Sequence, residues 1–362
     1  MCAQPKYIEI FEWIKQQIDI GNLKPGERMY SEKELVELFS VSRQTVRHAI
    51  SKLEYEDIVV KRRGSGTYIR KADSGAEPSG SMQIAVVTTY VDDYIFPRII
   101  QEIQHTIARE GYMMQLMFTN NSVEKEREIL NQLIEENNVA GMIIEPTKSA
   151  LPNPNIPLFE KLACRGVPVV FLNSYYPQLE VPRVVLDDTL AGKLATKHLI
   201  SKGHKNIGAI FKSDDGQGLR RYYGYVEALL EAGLSFRESH IIWVSTEDIR
   251  RMKQDEDRYL NRMNGNTAYV CYNDKIAYEL MEIYSSHHIS VPEDISIVGI
   301  DDADIAKRSR VMLTTMKNPV RELGREAAAI ILNMIRGEEA AMSYNAVPVL
   351  IERDSVASKI IK

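Results

Sequence analysis

From residue 83 onward the chain alternates short apolar runs with amphipathic segments, and this alternation restricts the possible folds more than any other feature. Seven apolar runs have the length of buried β-strands: 83–89, 113–119, 139–145, 167–172, 206–212, 267–272 and 295–300. Helical patterns separate most of them, as at 97–110, 123–137, 189–202 and 219–232. Repeated strand–helix units form parallel sheets with helices on both faces. Because about 280 residues exceed one compact sheet, we expect an α/β domain of two lobes.

A segment without hydrophobic periodicity, rich in Gly, Ser and Ala, separates this region from a smaller N-terminal one. We place the N-terminal domain at 1–71, the linker at 72–82 and the two-lobed domain at 83–362. The net charge is −5, yet residues 41–71 carry 8 Lys and Arg against 3 Asp and Glu. This basic segment favours a nucleic-acid partner for the N-terminal domain, which the average charge conceals.

The start of the chain has no apolar run behind a basic segment, and no stretch of about 18 uncharged apolar residues occurs. We therefore expect no signal peptide and no contact with a membrane. The three cysteines, Cys2, Cys164 and Cys271, are far apart and odd in number, which argues against a disulfide framework. This cysteine usage fits a reducing compartment, so we expect a cytoplasmic protein.

Three helical patterns and a hairpin pattern make up the N-terminal domain. The first helix has an apolar face formed by Tyr7, Phe11, Ile14 and Ile18. Ser31 and Glu34 have the spacing of a capping box at the start of a second helix. The buried stripe of that helix is expected at Leu35, Leu38 and Phe39. Ser42 can cap a third helix. Its buried side is expected at Val46, Ala49, Ile50 and Leu53. Two β-prone runs, 58–60 and 67–69, predict a short hairpin with a basic tip.

The polar face of the third helix is the candidate DNA surface. With its apolar side buried, Arg43, Gln44, Arg47 and His48 point outward. Arg43 and Arg47 are one helical turn apart and can reach the same groove or adjacent phosphates. The alternative is a solvated basic face without a partner. The capped helix before this face and the basic hairpin after it favour DNA binding.

The segment GNLKPGERMYSEKELVELFSVSRQTVRHAISKLEYEDIVVKRRGSGTYI resembles the winged helix-turn-helix of the GntR family, over nearly all of residues 5–70. Tyr30, Ser40 and Asp57 depart from the family pattern, which favours Pro at the first position and Gly at the other two. These departures lie in turns and not in the contact helix. The resemblance implies operator DNA as partner, with Gly64 at the wing tip entering the minor groove. The residues that it implies near DNA are Lys33, Ser42, Arg43, Gln44, Thr45 and Arg47.

The two-lobed region contains no nucleophile elbow, phosphate-binding loop, dinucleotide fingerprint or metal-spaced His and Cys, so we expect no catalysis, cofactor or metal. In open α/β sheets, ligands bind at the carboxyl ends of the strands. Polar and aromatic residues follow the predicted strands at Tyr90, Tyr94, Phe96, Glu145, Asn173, 212–215, Asn273 and Asp274. Such groups suit a small sugar, because carboxylates and amides bond hydroxyls and aromatic rings cover the C–H face. Alternatively, Asn173 or Asp274 caps the next helix, and the aromatic residues belong to the core or an interface.

The segments LDDTLAGKLATKHLISKGHKNIGAIF, RYYGYVEAL, YNDKIAYELM, VPEDISIVGIDD and LTTMKNPVRELG resemble the effector domain of LacI-type repressors, itself similar to periplasmic sugar-binding proteins. A GntR-type head on a LacI-type body, with the segments TTYVDDYIFPRII, IIEPTKSALPNPN and FKSDDGQGLRR, resembles the family of arabinose repressors. The resemblance implies L-arabinose as effector. Its implied ligands are Tyr90, Phe96, Glu145, Asn173, Arg221, Glu247, Asn273 and Asp274.

These resemblances predict a transcriptional repressor that binds a palindromic operator as a homodimer. Sugar binding is expected to close the lobes and release the DNA. The linker must transmit the signal without the hinge helix that is usual in LacI relatives. Three alternatives stay open: a different sugar, a phosphosugar or a protein bound by the two-lobed domain, activation in place of repression, and a sugar-metabolising enzyme on the same lobes.

Overall fold

The structure is a computed structural model that describes residues 6–24, 26–55, 58–62, 66–69, 82–90, 94–262 and 265–359. The chain divides into two compact units, Met1–Glu77 and Pro78–Lys362. The predicted linker at 72–82 lies outside the described residues except for Met82, so its bounds stay a prediction. No helix among the described residues is long and apolar enough to cross a membrane.

The N-terminal unit contains three helices and an antiparallel hairpin: α1 Lys6–Asp19, α2 Glu32–Phe39, α3 Arg43–Tyr55, β1 Val59–Arg62 and β2 Gly66–Ile69. The predicted capping box is present at the start of α2. The Ser31 hydroxyl accepts a hydrogen bond from the Glu34 backbone N–H (3.3 Å), and the Glu34 carboxylate accepts one from the Ser31 backbone N–H (2.7 Å). The Ser42 hydroxyl accepts from the Thr45 backbone N–H (3.2 Å) at the start of α3. These caps fix where both helices begin.

The buried side of α3 is the one that its periodicity predicts. Its four residues are at most 1% exposed: Val46, Ala49, Ile50 and Leu53. The expectation for α2 is wrong at Leu38, which is 56% exposed. Val36 and Phe39 pack against the core cluster that contains buried Leu35 in its place. In α3, the face opposite its four buried residues is exposed to solvent.

The first lobe of the C-terminal unit is built on six parallel strands. They are β3 Gln83–Thr88, β4 Met113–Phe118, β5 Gly141–Ile144, β6 Val169–Leu172, β7 Arg183–Leu186 and β13 Ser343–Ala346. Their order in the sheet is β13-β7-β6-β5-β3-β4. The helices of this lobe are α4 Phe96–Arg109, α5 Val123–Glu136, α6 Ile156–Cys164 and α13 Val320–Ile335.

The second lobe repeats this plan. Its strands are β8 Ile207–Lys212, β9 Ile241–Val244, β10 Ala268–Cys271, β11 Ser296–Asp301, β12 Thr314–Lys317 and β14 Val349–Ile351. Their order is β14-β12-β11-β10-β8-β9, and all neighbours are parallel except β12 and β14. Its helices are α7 Asp188–Ser201, α8 Gly216–Glu231, α9 Thr246–Arg250, α10 Glu256–Asn261, α11 Asp274–Ser286 and α12 Ile305–Arg308, with a 3₁₀ turn at Glu238–His240.

The predicted two-lobed α/β fold is confirmed, and all seven predicted strands are present. The chain crosses between the lobes at three places: between β7 and α7, between β12 and α13, and between β13 and β14. All three crossings lie toward the same edge of each sheet, which ends in β13 in the first lobe and β14 in the second. The other edges, β4 and β9, are therefore the farthest from the crossings.

Helices α7 and α8 pack so closely that only glycine fits at their contact. A Cβ on Gly192 would lie 2.1 Å from the Arg221 carbonyl oxygen, and one on Gly224 would lie 1.9 Å from the Thr189 carbonyl oxygen. This approach brings Arg221 of α8 against Asp188 in the first turn of α7.

Candidate functional site

The carboxyl ends of the two sheets face each other and form a cleft between the lobes. Direct hydrogen bonds join the lobes there. Tyr94 of the first lobe donates to the Asp301 carboxylate (2.6 Å), and the Gly216 backbone N–H donates to the Ser149 hydroxyl (2.9 Å). The cleft is thus where a parallel α/β fold is expected to bind a ligand.

Glu145, which follows β5, lies on the first-lobe side of this cleft and is 4% exposed. Its carboxylate accepts hydrogen bonds from the Asn173 amide (2.7 Å), from the Thr89 backbone N–H (3.0 Å) and from the Thr89 hydroxyl. Burial raises the pKa of Glu145 to about 7, although these hydrogen bonds lower it in part. Near neutral pH the group can therefore either accept or donate a hydrogen bond.

Lys212 ends β8 on the opposite side and is 5% exposed. Its ammonium lies 2.5 Å from an oxygen of Asp215 and 3.6 Å from one of Asp214. Burial alone would lower the pKa of Lys212, but the two carboxylates outweigh it and raise the pKa. The Tyr272 hydroxyl also donates to Asp215 (3.3 Å), and Tyr90 lies near this group from the first lobe. The cation is therefore fixed and neutralised by its own lobe.

Arg221 is the second buried cation, at 3% exposure. Its guanidinium donates to the Asp188 carboxylate (2.8 Å) and to the Tyr272 carbonyl, and it lies 3.5 Å from Asp301. The Tyr272 ring lies under the guanidinium, with the carbon 4.8 Å from the ring centroid. Arg221 thus joins α7, α8 and the ends of β10 and β11 at one point.

A cavity of about 350 Å³ lies beside Asp301. Tyr94, Asp301 and Asn318 contribute polar groups to its wall, which also carries the charged side chains of Arg98, Lys307, Lys317, Arg321 and Arg325 but not Glu145, Lys212 or Arg221. Asn318 is 3% exposed, and its side-chain oxygen accepts no hydrogen bond from the described residues. A buried carbonyl oxygen of this kind costs about 1–3 kcal/mol when it stays unbonded, so it favours a ligand that carries a hydroxyl.

The structure brings four of the eight sequence-predicted ligand residues into the buried polar groups of the cleft: Tyr90, Glu145, Asn173 and Arg221. Asn273 is half-buried and caps α11 by accepting from the Ile276 backbone N–H (3.0 Å). Phe96 begins α4 and is packed into the apolar core at 6% exposure. Glu247 lies at the mouth of the cleft, the side away from the crossings, where it pairs with Lys148 (3.3 Å). As ligands, all eight stay predictions.

Asp274 is wholly buried, and its two carboxylate oxygens are used within its own lobe. One accepts from the Thr315 hydroxyl (2.5 Å) and the other from the Ala303 backbone N–H (2.8 Å). Burial raises its pKa well above the usual range. These contacts connect α11 to β12 and to the segment that follows β11. Asp301, and not Asp274, is the carboxyl group near the Arg221 guanidinium, at 3.5 Å.

Sequence reasoning placed Lys212 among the strand-end residues without naming it as a ligand, and it missed Asp301, Asp188 and Asn318. The signal was present for Asp301, because it ends β11, as the strand-end rule requires. Asp188 and Asn318 lie at two of the places where the chain crosses between the lobes. Their positions in the cleft depend on how the lobes are joined, and no local sequence pattern reveals this. Among the described residues, no group of His, Cys, Asp and Glu is arranged to hold a metal ion.

The outward face of α3 carries the side chains predicted to contact DNA. Arg43 and Gln44 are exposed, whereas Thr45 is half-buried and bonds the Ser42 hydroxyl (2.9 Å). Arg47 donates to both carboxylate oxygens of Glu32 on α2, at 3.2 and 3.1 Å. Lys33 is exposed on α2 as well, and Gly64 lies outside the described residues. His48, also on α3, stacks on Tyr7 with the ring centroids 4.0 Å apart.

Residues 6–69 match the gntR family of bacterial regulatory proteins, and residues 196–356 match the periplasmic binding protein-like domain. The chain is 36% identical to the arabinose metabolism transcriptional repressor of Halalkalibacterium halodurans, over 98% of this chain and 97% of the relative. It is 38% identical to the repressor of the same name from Geobacillus stearothermophilus, over 91% of each chain. The crystal structure of transcription regulator CcpA of Lactococcus lactis superposes with a TM-score of 0.68 at 26% identity, over 76% of this chain and 99% of that one. With such identity over nearly its whole length, this chain belongs to the family of arabinose metabolism transcriptional repressors, in which a gntR-type domain precedes a periplasmic binding protein-like domain.

Proposed function

We propose that this protein represses arabinose-utilisation genes by binding a palindromic operator as a homodimer, and that L-arabinose in the interlobe cleft releases the DNA. The observation that carries the proposal is the charge pattern of the cleft. Each of its two buried cations is neutralised by two carboxyl groups of its own lobe, and Glu145 adds a fifth. The two relatives named arabinose metabolism transcriptional repressor support the choice of genes and sugar.

This charge pattern favours an uncharged effector over a phosphosugar. Lys212 is held by Asp214 and Asp215, and Arg221 is held by Asp188 and Asp301. A phosphate would have to break these pairs, and it would meet an excess of carboxyl groups in a desolvated site. A neutral sugar leaves the pairs intact and uses the remaining lone pairs, at about 1.5–3 kcal/mol for each hydrogen bond to a charged group.

The exposed side of α3 supports the DNA-binding role. Arg43 and Gln44 stand in solvent at its start, where a helix also offers free backbone N–H groups to phosphate. The proposed DNA contacts are Lys33, Ser42, Arg43, Gln44, Thr45, Arg47 and Gly64. A two-fold homodimer would present two such helices to the half-sites of a palindrome. Neither role requires catalysis, and action on chromosomal operators requires the cytoplasm.

The test is fluorescence anisotropy of the full chain on a palindromic operator from an arabinose-gene promoter. L-Arabinose, D-xylose and arabinose 5-phosphate are titrated separately. We expect L-arabinose alone to release the DNA. Release by the phosphosugar would contradict the charge argument, and tight DNA binding that no sugar disturbs would contradict the assigned effector.

A further inference from the structure

The mouth of the interlobe cleft lies where the edge strands β4 and β9 end, opposite the three crossings. Five strand spacings separate β9 from β14 in the second sheet, or about 24 Å. A small rotation about the crossings therefore moves the ends of β4 and β9 farther than any other part of the cleft. Contacts between these ends form only when the lobes are closed. They therefore stabilise the closed form relative to the open form.

Beside the interlobe pair of Lys148 and Glu247 (3.3 Å), a buried side-chain hydrogen bond joins the lobes at this mouth. The amide of Asn121, just after β4, donates to the hydroxyl of Thr246 at the start of α9 (2.7 Å). The same hydroxyl donates to the Asp214 carboxylate (2.7 Å), which also accepts from the Thr246 backbone N–H (3.1 Å). The three residues are 3–5% exposed. Because the chain of donors ends on a carboxylate in a desolvated place, the bond from Asn121 is strengthened.

Asn121 is held in position before the lobes meet. Its side-chain oxygen accepts from the Lys148 backbone N–H of the same lobe (2.9 Å), which leaves only the amide for the second lobe. Its φ of 55° lies in the left-handed region, which asparagine adopts more readily than most residues. A side chain fixed in this way loses little freedom when it bonds Thr246.

We propose that Asn121 and Thr246 form a clasp that sets the balance between closed and open lobes, and so sets the affinity for the effector without contacting it. Their polar groups are already committed to each other, to Lys148 and to Asp214. Asp214 is also the ion-pair partner of Lys212 inside the cleft, which connects the clasp to the proposed sugar site. Apparent affinity falls as the closed fraction falls, because only closed molecules hold the ligand fully. The inference rests on the proposed function for the identity of the sugar, whereas the clasp itself can be measured without any sugar.

Three substitutions isolate the clasp. Thr246→Val removes the hydroxyl at nearly constant volume, and Thr246→Ser restores it. Asn121→Asp keeps the oxygen that Lys148 bonds, but it places a carboxylate against Asp215, an oxygen of which lies 3.5 Å from the Asn121 amide nitrogen. The matched control is Thr196→Val, because the Thr196 hydroxyl is equally buried but bonds only the Gly192 carbonyl oxygen within α7 (2.7 Å).

The distance between the lobes is measured by electron-spin resonance on the full chain, between two spin labels attached to cysteines, one in each lobe. Cys164 is exposed on α6 in the first lobe, and Ser235→Cys adds an exposed thiol to the second. Cys2 is replaced by serine, and Cys271 is buried. Without sugar, we expect Thr246→Val and Asn121→Asp to shift the distances to larger values, with Thr246→Ser and Thr196→Val close to the parent. In calorimetry with L-arabinose, we expect Thr246→Val to weaken binding about 3- to 10-fold and Asn121→Asp to weaken it further.

Unchanged sugar-free distances in both Thr246→Val and Asn121→Asp would overturn the clasp. The same follows if Thr246→Ser behaves like Thr246→Val, because the hydroxyl would then be irrelevant. If the parent protein binds no arabinose, the proposed effector fails, and the sugar-free distances still decide whether the clasp exists.

Discussion

Arg43, Gln44 and Arg47, proposed to bind DNA, stand in solvent in the N-terminal unit, whereas Glu145 and Arg221, proposed to bind the sugar, are almost fully buried. The Arg47 side chain is 67% exposed and has a single carboxylate partner, Glu32. Arg221 is 3% exposed and is held by Asp188, by Asp301 and by a backbone carbonyl. An exposed cation costs little to desolvate against a phosphate, and its ion pair contributes at most about 1 kcal/mol. A buried cation is costly to assemble, but its geometry is fixed before the ligand arrives.

This difference indicates what each surface can recognise. A highly charged, repetitive polymer can be bound by mobile cations whose effect salt screens. A small neutral molecule offers only hydroxyls and C–H faces, so it must find donors and acceptors that are already aligned. The four predictions that follow would break or sharpen this comparison.

The largest effect is expected from Arg221→Met, which leaves Asp188 and Asp301 buried without their cation. We expect the free energy of unfolding of the C-terminal unit to fall by about 3–5 kcal/mol, measured by urea denaturation. Arabinose binding should be lost, while operator binding without sugar persists. The control is Arg220→Met, since Arg220 stacks on Tyr175 at 4.1 Å and has no carboxylate ion pair within the described residues. Equal losses of unfolding free energy and of arabinose binding in the two variants would show that neither depends on the buried ion pairs of Arg221.

The second prediction concerns pH. Burial raises the pKa of Glu145 to about 7 from the ordinary 4.5, so between these values the folded chain holds a proton that the unfolded chain has released. Relative to Glu145→Gln, the parent should lose up to about 3 kcal/mol of unfolding free energy as pH rises from 4.5 to 7. Urea denaturation across this range measures the difference. Glu160→Gln, at an exposed position on α6, is the control. If the parent and Glu145→Gln change in parallel, the carboxyl group is not desolvated.

The third prediction is that Arg43→Ala weakens operator binding by about 1–3 kcal/mol and leaves arabinose affinity unchanged. If Arg43 contacts a phosphate, the slope of log affinity against log salt should also flatten by about 0.9. Anisotropy titrations at several salt concentrations measure both quantities. Lys205→Ala removes an exposed charge from the C-terminal unit and should change neither. A parallel loss of sugar affinity in Arg43→Ala would refute the division of labour between the units.

The smallest effect is expected at the cap of α2. Ser31→Ala removes the hydroxyl that accepts from the Glu34 backbone N–H, and it should lower the unfolding free energy of the N-terminal unit by about 1 kcal/mol. Thermal melting followed by circular dichroism measures this loss. Ser51→Ala, at an exposed position inside α3, should cost nothing comparable. Equal melting temperatures for the two variants would show that the exposed DNA surface does not depend on this cap.

Most of the fold could be predicted from the sequence, because long apolar runs and helical periodicity are local signals. The five strands that were not predicted are β7, β9, β12, β13 and β14. Each has four residues or fewer, and β12 and β13 read TTMK and SYNA, which carry no apolar run. Such strands exist because a neighbouring strand offers them hydrogen bonds, and that neighbour is distant in the sequence.

The site was less predictable for the same reason. Glu145 and Asn173 follow apolar runs, so a strand-end rule finds them. In the pair Asn273 and Asp274, only the packing of α11 decides which side chain remains accessible, and Asp274 is the one that becomes buried. The bond between Asn121 and Thr246 joins residues 125 positions apart in different lobes, and no motif marks either one.

The positions of β13 and β14 have a consequence for how the protein is made. These strands complete the first and second sheets, yet they are the last two strands to be synthesised. On the ribosome the N-terminal unit can fold early, because domains fold as units as they emerge. The first lobe lacks a strand until residue 346 has emerged, and the second lobe lacks one until residue 351 has emerged. A nonsense mutation between about residues 335 and 343 would therefore release a chain that retains the helices proposed to bind DNA but lacks the last strand of each lobe. In the cell, we expect such a product to keep its operators occupied whether or not the sugar is present, provided that the truncated chain still pairs.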